Sequence, residues 1–289
     1  MTGTILTVGA LGLDTIFRLD ALPLAPGKHL PIEAVQVAQG MATAQAATIV
    51  RLGGRARLWA SIGDDATGER IAAELAAAGI DLSALRRLPG ARSGFSSILV
   101  DAAGERVIVP QYDAALRAPP TSLPRLDDVA VVSVDVRWPT AAELALRAAR
   151  ERGLPAVLDV EAAPRDVLDP LLALATHIVA SEGGALALTG APPKEAAALL
   201  ARQWPAEVIV TAGPRGAFWR GGHVPAPPVA SVDTLAAGDV FHGAFALLLA
   251  EGRPLPEILR FAATAAALKC SRFGGRLGAP TRAEVEALL

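Results

Sequence analysis

The 289-residue sequence predicts an α/β fold: a mostly parallel, doubly wound sheet with helices on both faces and a small β-sheet lid. Three observations carry that expectation. Short apolar runs of strand length alternate with stretches of helical spacing along almost the whole chain, the pattern of strands joined by helical crossovers. Glycines stand where several of those helices should stop. Two regions, 14–38 and 93–112, read as strands with no helix between them and so belong to a separate sheet. With 52% hydrophobic and 19% charged residues, the chain is apolar enough for a sizeable core and too sparsely charged for disorder. A single domain over 1–289 is expected, with the lid strands inserted into it.

The elements follow in order. Residues 4–9 form a buried strand ending in glycine, and a helix over 40–53 stops at Gly53-Gly54. A strand over 56–62 leads to Asp64-Asp65-Ala66-Thr67-Gly68, which introduces a helix over 69–78 closed by Gly79. In the lid, Phe95–Val100 returns through Val107–Pro110 after a turn at Asp101–Gly104, where Gly104 suits the left-handed position of a hairpin. Pro119, Pro120 and Pro124 mark a loop. The main rhythm resumes with strand 129–134, helix 140–152, strands 155–160 and 177–180, helix 193–203, strand 206–211, and helices 238–251 and 255–272.

Twenty-seven Lys plus Arg against 29 Asp plus Glu leave a net charge of −2, which argues against nucleic acid or an anionic membrane as partner. The N-terminus has neither the basic nor the long apolar part of a signal peptide, and no run approaches the roughly 18 to 20 apolar residues of a membrane span. A cytoplasmic setting is expected. The one cysteine, Cys270, excludes an intramolecular disulfide and reads as a small buried hydrophobe late in a helix. Lysine occurs only at 28, 194 and 269, which singles out Lys28.

The most informative segment is Val232-Asp233-Thr234-Leu235-Ala236-Ala237-Gly238-Asp239-Val240-Phe241-His242-Gly243. Small residues at 236–238 sit where the backbone turns into a helix, whose unpaired N–H groups and dipole suit a phosphate. Asp239, in the first turn, is placed to take a proton from a hydroxyl beside that anion hole; it is equally placed to be a helix-terminal carboxylate. His242, three residues on along the same face, reaches the site or serves helix packing. Gly9 and Gly12 lack the three-glycine spacing of a dinucleotide site.

These landmarks resemble the PfkB, or ribokinase-like, carbohydrate kinases. Asp233 through Asp239 match their late DTxGAGD signature, and the likeness runs on through Gly9–Asp14, Gln39–Ala46, Ile62–Gly68, Gly104-Glu105-Arg106, Val210–Gly216 and Gly274-Gly275. The resemblance implies ATP and Mg²⁺ as cofactors and Asp239 as catalytic base, with Ala236, Ala237 and Gly238 forming the anion hole. It implies Thr211, Gly213, Gly216, Gly274 and Gly275 around the nucleotide. Asp14, with Gln39 and Gly40, falls on the sugar side. The lid implies closure over the site and a homodimer contact.

The chain departs from the family pattern in places. Ala236 replaces a glycine and is expected to need a negative φ; Leu235 replaces a threonine, Gln39 a glycine and Ala44 an asparagine. The metal-linked NxxE motif aligns with Ser181-Glu182-Gly183-Gly184, leaving Glu182 as the candidate metal ligand. Pro26-Gly27-Lys28, Asp135–Trp138, Gly238–Ala244, Ala265–Cys270 and Gly274–Gly278 resemble one branch in particular, the 6-deoxy-6-sulfofructose kinases. Arg137 ends an apolar strand, where a guanidinium suits a tetrahedral anion, or pairs with Asp135 or Asp159; Lys28 adds a second cation and Gln111 a polar contact. A kinase for another ketose phosphate, a neutral sugar or a nucleoside, and a sugar-binding regulator without catalysis, are the competing readings.

Overall fold

The computed structural model describes residues 3–22, 25–102 and 104–289. In chain order the strands are β1 Thr4–Val8, β2 Gly12–Arg18, β3 Glu33–Gln39, β4 Ala56–Trp59, β5 Ser61–Gly63, β6 Arg86–Leu88, β7 Phe95–Val100, β8 Arg106–Gln111, β9 Val129–Asp135, β10 Ala156–Val160, β11 His177–Ser181, β12 Glu207–Thr211, β13 Ala217–Trp219 and β14 Gly222–Val224. The helices are α1 Met41–Arg51, α2 Ala66–Ala77, α3 Pro139–Glu151, α4 Arg165–Leu172, α5 Glu182–Thr189, α6 Pro193–Gln203, α7 Ala237–Ala250, α8 Leu255–Cys270 and α9 Arg282–Glu286.

Among the described residues the main sheet runs β14-β13-β12-β11-β10-β9-β1-β4, parallel from β4 to β12 and antiparallel beyond. Because successive side chains point to opposite faces, the strands feed two cores. Ile5, Val131, Val157, Val179 and Ile209 pack with residues of α1, α7 and α8 on one face. Leu6, Val132, Leu158, Ile178 and Val208 pack with residues of α3, α4 and α6 on the other. That division is why both residue parities of each central strand are apolar.

Regions 14–38 and 93–112 contribute the separate sheet, in the order β3-β2-β7-β8. The hairpin turn is formed with Gly104 at φ +84°; Ala103 of that turn, and Pro23 and Leu24 of the first region, lie outside the described residues. The expected strand 56–62 is instead broken at Ala60, because β5 leaves the main sheet to pair with β6. The helix expected from 69 starts at Ala66, since Asp65 already caps it by accepting the Gly68 N–H at 2.7 Å. The helices α4, α5 and α9 and the strands β6, β13 and β14 were not expected; α4 and α5 are eight residues each, one with Pro170 inside it and the other opening on Glu182-Gly183-Gly184. No helix among the described residues is long and apolar enough to cross a membrane.

Candidate active site

From β1 the chain leads to β4 on one side and later to β9 on the other, so the crevice beyond β1 and β9 is a topological switch point. Asp135, at the end of β9, is buried there. Its Oδ2 accepts the N–H groups of Ala10 (2.8 Å) and Ala42 (3.0 Å), and its Oδ1 accepts that of Arg137 (2.7 Å). Burial pushes this carboxyl upward and the three N–H bonds oppose it. A Cβ on Gly9 would fall 2.1 Å from the carboxylate, so only glycine fits. Asp135 thereby ties the turn after β1, the start of α1 and the backbone of Arg137 into one unit.

A cavity opens beside it, lined by Gly9, Ala10, Ser61, Tyr112, Arg117 and Arg137 among others. The Arg117 guanidinium lies 4.7 Å from the centre of the Tyr112 ring, a cation–π contact. Arg86 sits over Trp138 and donates to the carbonyls of Leu116 and Ala118, anchoring the turn that carries Arg117. The Arg137 N–H donates to Asp135; its guanidinium makes no close salt bridge among the described residues, yet its charge acts on Asp135 and Asp159, the two carboxyls expected as its alternative partners. Asp14, on β2, is buried beside Ser96; burial pushes its carboxyl up to about 6, against the Ser96 hydrogen bond. Burial, then Asp14, raises Tyr112.

The other sugar-side residues diverge. Gly40 caps α1 at φ +131°, its backbone against the Ala10 carbonyl. Gln39 is buried, lies against Gly275 and accepts the Arg276 N–H at 3.1 Å, so its amide holds the C-terminal glycine loop. Gln111 is exposed at the end of β8, and Lys28 is exposed in the loop between β2 and β3, outside the cavity lining. Tyr112 and Arg117 were missed; the chain's one tyrosine, next to Gln111, was the available signal.

At the anion-hole end, α7 begins at Ala237. Ala236 adopts φ +63°, alone among the described non-glycine residues, which corrects the expected negative φ. The left-handed conformation costs an L-residue roughly 1 to 2 kcal/mol, and the surroundings hold it. The Ala236 carbonyl accepts the Val240 N–H at 2.9 Å, and the loop before it is fixed by Asp233. Asp233 is fully buried, accepts the N–H groups of Leu235, Gly274 and Gly275 and pairs with Lys269 at 3.0 Å. Gly274 and Gly275 are thus fastened to the anion-hole loop. The lid meets the same loop: Arg106 donates to Thr234 at 2.9 Å, and Leu235 packs with Ile16, Val37, Ile98 and Val100.

Gly238 is exposed, and a Cβ there would meet nothing within 4 Å, so open space lies before the α7 N-terminus and fits a phosphoryl group. Asp239 keeps some exposed surface, yet burial, then Asp159, push its carboxyl well up, while His242 opposes the rise. Thr211 ends β12, and Gly213 and Gly216 form the turn beyond it, with open space at Gly213. Glu182 is exposed and pairs with Arg215. Ser181 caps α5 through the Gly184 N–H at 3.0 Å, so the segment aligned with the metal motif serves as a helix start. Cys270 is half-buried at the end of α8.

A family model described as pfkB family carbohydrate kinase matches residues 4–282. The ribokinase of Bacillus subtilis is 29% identical over 295 residues, covering 99% of each chain. Among solved structures, a protein of Agrobacterium tumefaciens provisionally described as a ribokinase is 46% identical, with a TM-score of 0.95 over 100% of this chain and 97% of that one. Arabidopsis thaliana ribokinase, solved with ribose and ATP, is 26% identical, with a TM-score of 0.84 over 100% and 99%.

Proposed function

The chain belongs to the pfkB family of carbohydrate kinases, and within it we propose a kinase that phosphorylates a primary hydroxyl of a ketose carrying an anionic terminus. The acceptor that fits best is 6-deoxy-6-sulfofructose, giving the 1-phosphate. The observation that carries this reading is the cavity lined by Arg117, Arg137 and Tyr112, with Asp14 close enough to act on Tyr112 and with neither guanidinium in a close salt bridge among the described residues. Two guanidinium groups suit a sulfonate or phosphate better than a neutral sugar. Arg117 takes the part that sequence gave to Lys28. The ribokinase names of the relatives favour a second reading, ribose as acceptor.

ATP with Mg²⁺ is the proposed donor and supplies the γ-phosphoryl group when bound. Its phosphates fit the α7 N-terminus at Ala236, Ala237 and Gly238, and its base the strand-turn of Thr211, Gly213 and Gly216 with Gly274 and Gly275. Glu182, already paired with Arg215, is not assigned to the metal. Asp239 takes the proton of the acceptor hydroxyl, the first N–H groups of α7 stabilise charge on the transferred group, and Asp14 accepts hydrogen bonds from the sugar. The lid sheet closes over the acceptor and excludes water. Its outer strand β8 exposes Val107, Ile108 and Val109, the edge through which we place a homodimer. A cytoplasmic location supplies the nucleotide.

The test is Asp239→Asn. General-base catalysis is worth about 10²- to 10⁴-fold, so turnover should fall by at least that range while acceptor binding by calorimetry persists. Near-normal kcat would overturn the mechanism.

A further inference from the structure

His242 is buried on α7, one turn beyond Asp239. Its Nδ1 lies 2.8 Å from the Gly238 carbonyl oxygen; its Nε2 lies 3.2 Å from that of Val179 on β11 and 3.4 Å from Oδ1 of Asp159 on β10. All three are acceptors. A neutral imidazole has one N–H, so either tautomer would aim a lone pair at a buried oxygen, an arrangement that costs the unmade hydrogen bond. Burial, then Glu161 and Asp135, push Asp159 upward, so a proton on its Oδ1 donating to Nε2 is the competing arrangement; the nearer Val179 carbonyl favours the proton on Nε2. The other Asp159 oxygen is an acceptor too. Ser133 donates to Oε1 of Gln45 at 2.8 Å, which leaves the Gln45 Nε2 to donate to Oδ2 at 2.9 Å.

We propose that His242 is a positioning residue held as an imidazolium beneath the anion hole, where it neutralises Asp159 and keeps Asp239 ionised as the base. The charges around this point suit that role. Asp159 and Glu161 face Asp239 from the end of β10, and Asp135 from the end of β9. Asp135 is satisfied by three backbone N–H groups, and Glu161 accepts the Ser181 hydroxyl at 3.1 Å. From α1 the facing group is the neutral Gln45 amide, and on β11 His177, against Phe245, is pushed down to about 4 by burial and stays neutral. Arg137, just beyond β9, acts on Asp159 and Asp135 through space; His242 is the basic group in contact with Asp159.

The inference rests on Asp239 being the base, but its first test does not. In protein labelled with ¹⁵N-histidine, with His242 assigned by its loss in His242→Asn, both ring nitrogens should show protonated shifts at pH 7. A neutral tautomer there would overturn the proposal even if Asp239→Asn abolishes turnover. The second test is the pH profile of kcat. Loss of a neighbouring charge moves a carboxyl by about 1 to 3 pH units, so the acid limb should climb by that amount in His242→Asn and fall back toward wild type in the His242→Asn, Asp159→Asn double variant. A purely structural histidine would lower kcat without moving the limb, and that result would refute the proposal.

Discussion

Replacing Asp233 by asparagine should destabilise the protein far more than its one-atom change suggests. Asp233 and Lys269 are both fully buried; the Lys269 Nζ lies 3.0 Å from the carboxylate and donates to the Asp233 carbonyl at 2.6 Å. Burial alone pushes the Lys269 ammonium down, and Asp233 is the group that sustains it. Removing one partner of a buried pair typically costs about 3 to 5 kcal/mol, because the other charge is left uncompensated. At roughly 2 to 3 °C per kcal/mol for a chain of this size, Tm should fall by about 6 to 15 °C in thermal denaturation followed by circular dichroism. Lys269→Met in the Asp233→Asn background should recover a large part of that loss, since an apolar replacement of the whole pair is often neutral. A single variant within about 1 kcal/mol of wild type, or a double variant no better than the single, would refute this account of the loop that holds Ala236 and Gly274.

The Asp14 carboxyl, pushed up from 3.8 to about 6, must be ionised to accept sugar hydroxyls, so acceptor KM should rise as pH falls through about 6 and that limb should vanish in Asp14→Asn. Because the folded state binds this proton more tightly than the unfolded one, the group favours folding most below 3.8 and that contribution is lost as pH rises through 6; a urea-denaturation series across that range checks the sign. On the lid edge, Val109→Lys should convert the proposed homodimer to a monomer in sedimentation analysis; an unchanged wild-type monomer or an undisturbed dimer would remove the β8 interface.

Much of the fold was legible because both faces of the central strands are covered, which makes them continuous apolar runs such as Val129–Val134, and because glycines such as Gly53 and Gly79 stand at positive φ where helices stop. The short elements were not: α5 opens on two glycines and is started by a serine cap that only the folded geometry reveals. At the site, small residues at a helix start singled out the anion-hole segment, and the likeness to the DTxGAGD signature, rather than spacing, singled out Asp239 as the base. Lys28 and Arg117 show the opposite case. Both are exposed cations, Lys28 on a loop and Arg117 at the end of the short 3-10 turn Ala114–Arg117, and only that turn, anchored by Arg86, brings Arg117 to the cavity with Arg137. Ala236 was misjudged because local preference argues against a left-handed alanine, whereas the Asp233 network fixes the loop from outside it.

In this reading Arg117 and Arg137 together hold an anionic acceptor. The direct measurement is ADP release with MgATP over 6-deoxy-6-sulfofructose, fructose 6-phosphate, tagatose 6-phosphate, fructose, ribose and adenosine, repeated with Arg117→Ala and Arg137→Ala. Each charge-assisted contact is worth about 1.5 to 3 kcal/mol, so each variant should raise KM for the anionic acceptor by roughly 10- to 150-fold and leave neutral sugars unchanged, with the sulfonate the preferred substrate of the wild type. A wild-type preference for ribose, with KM indifferent to both arginines, would contradict it.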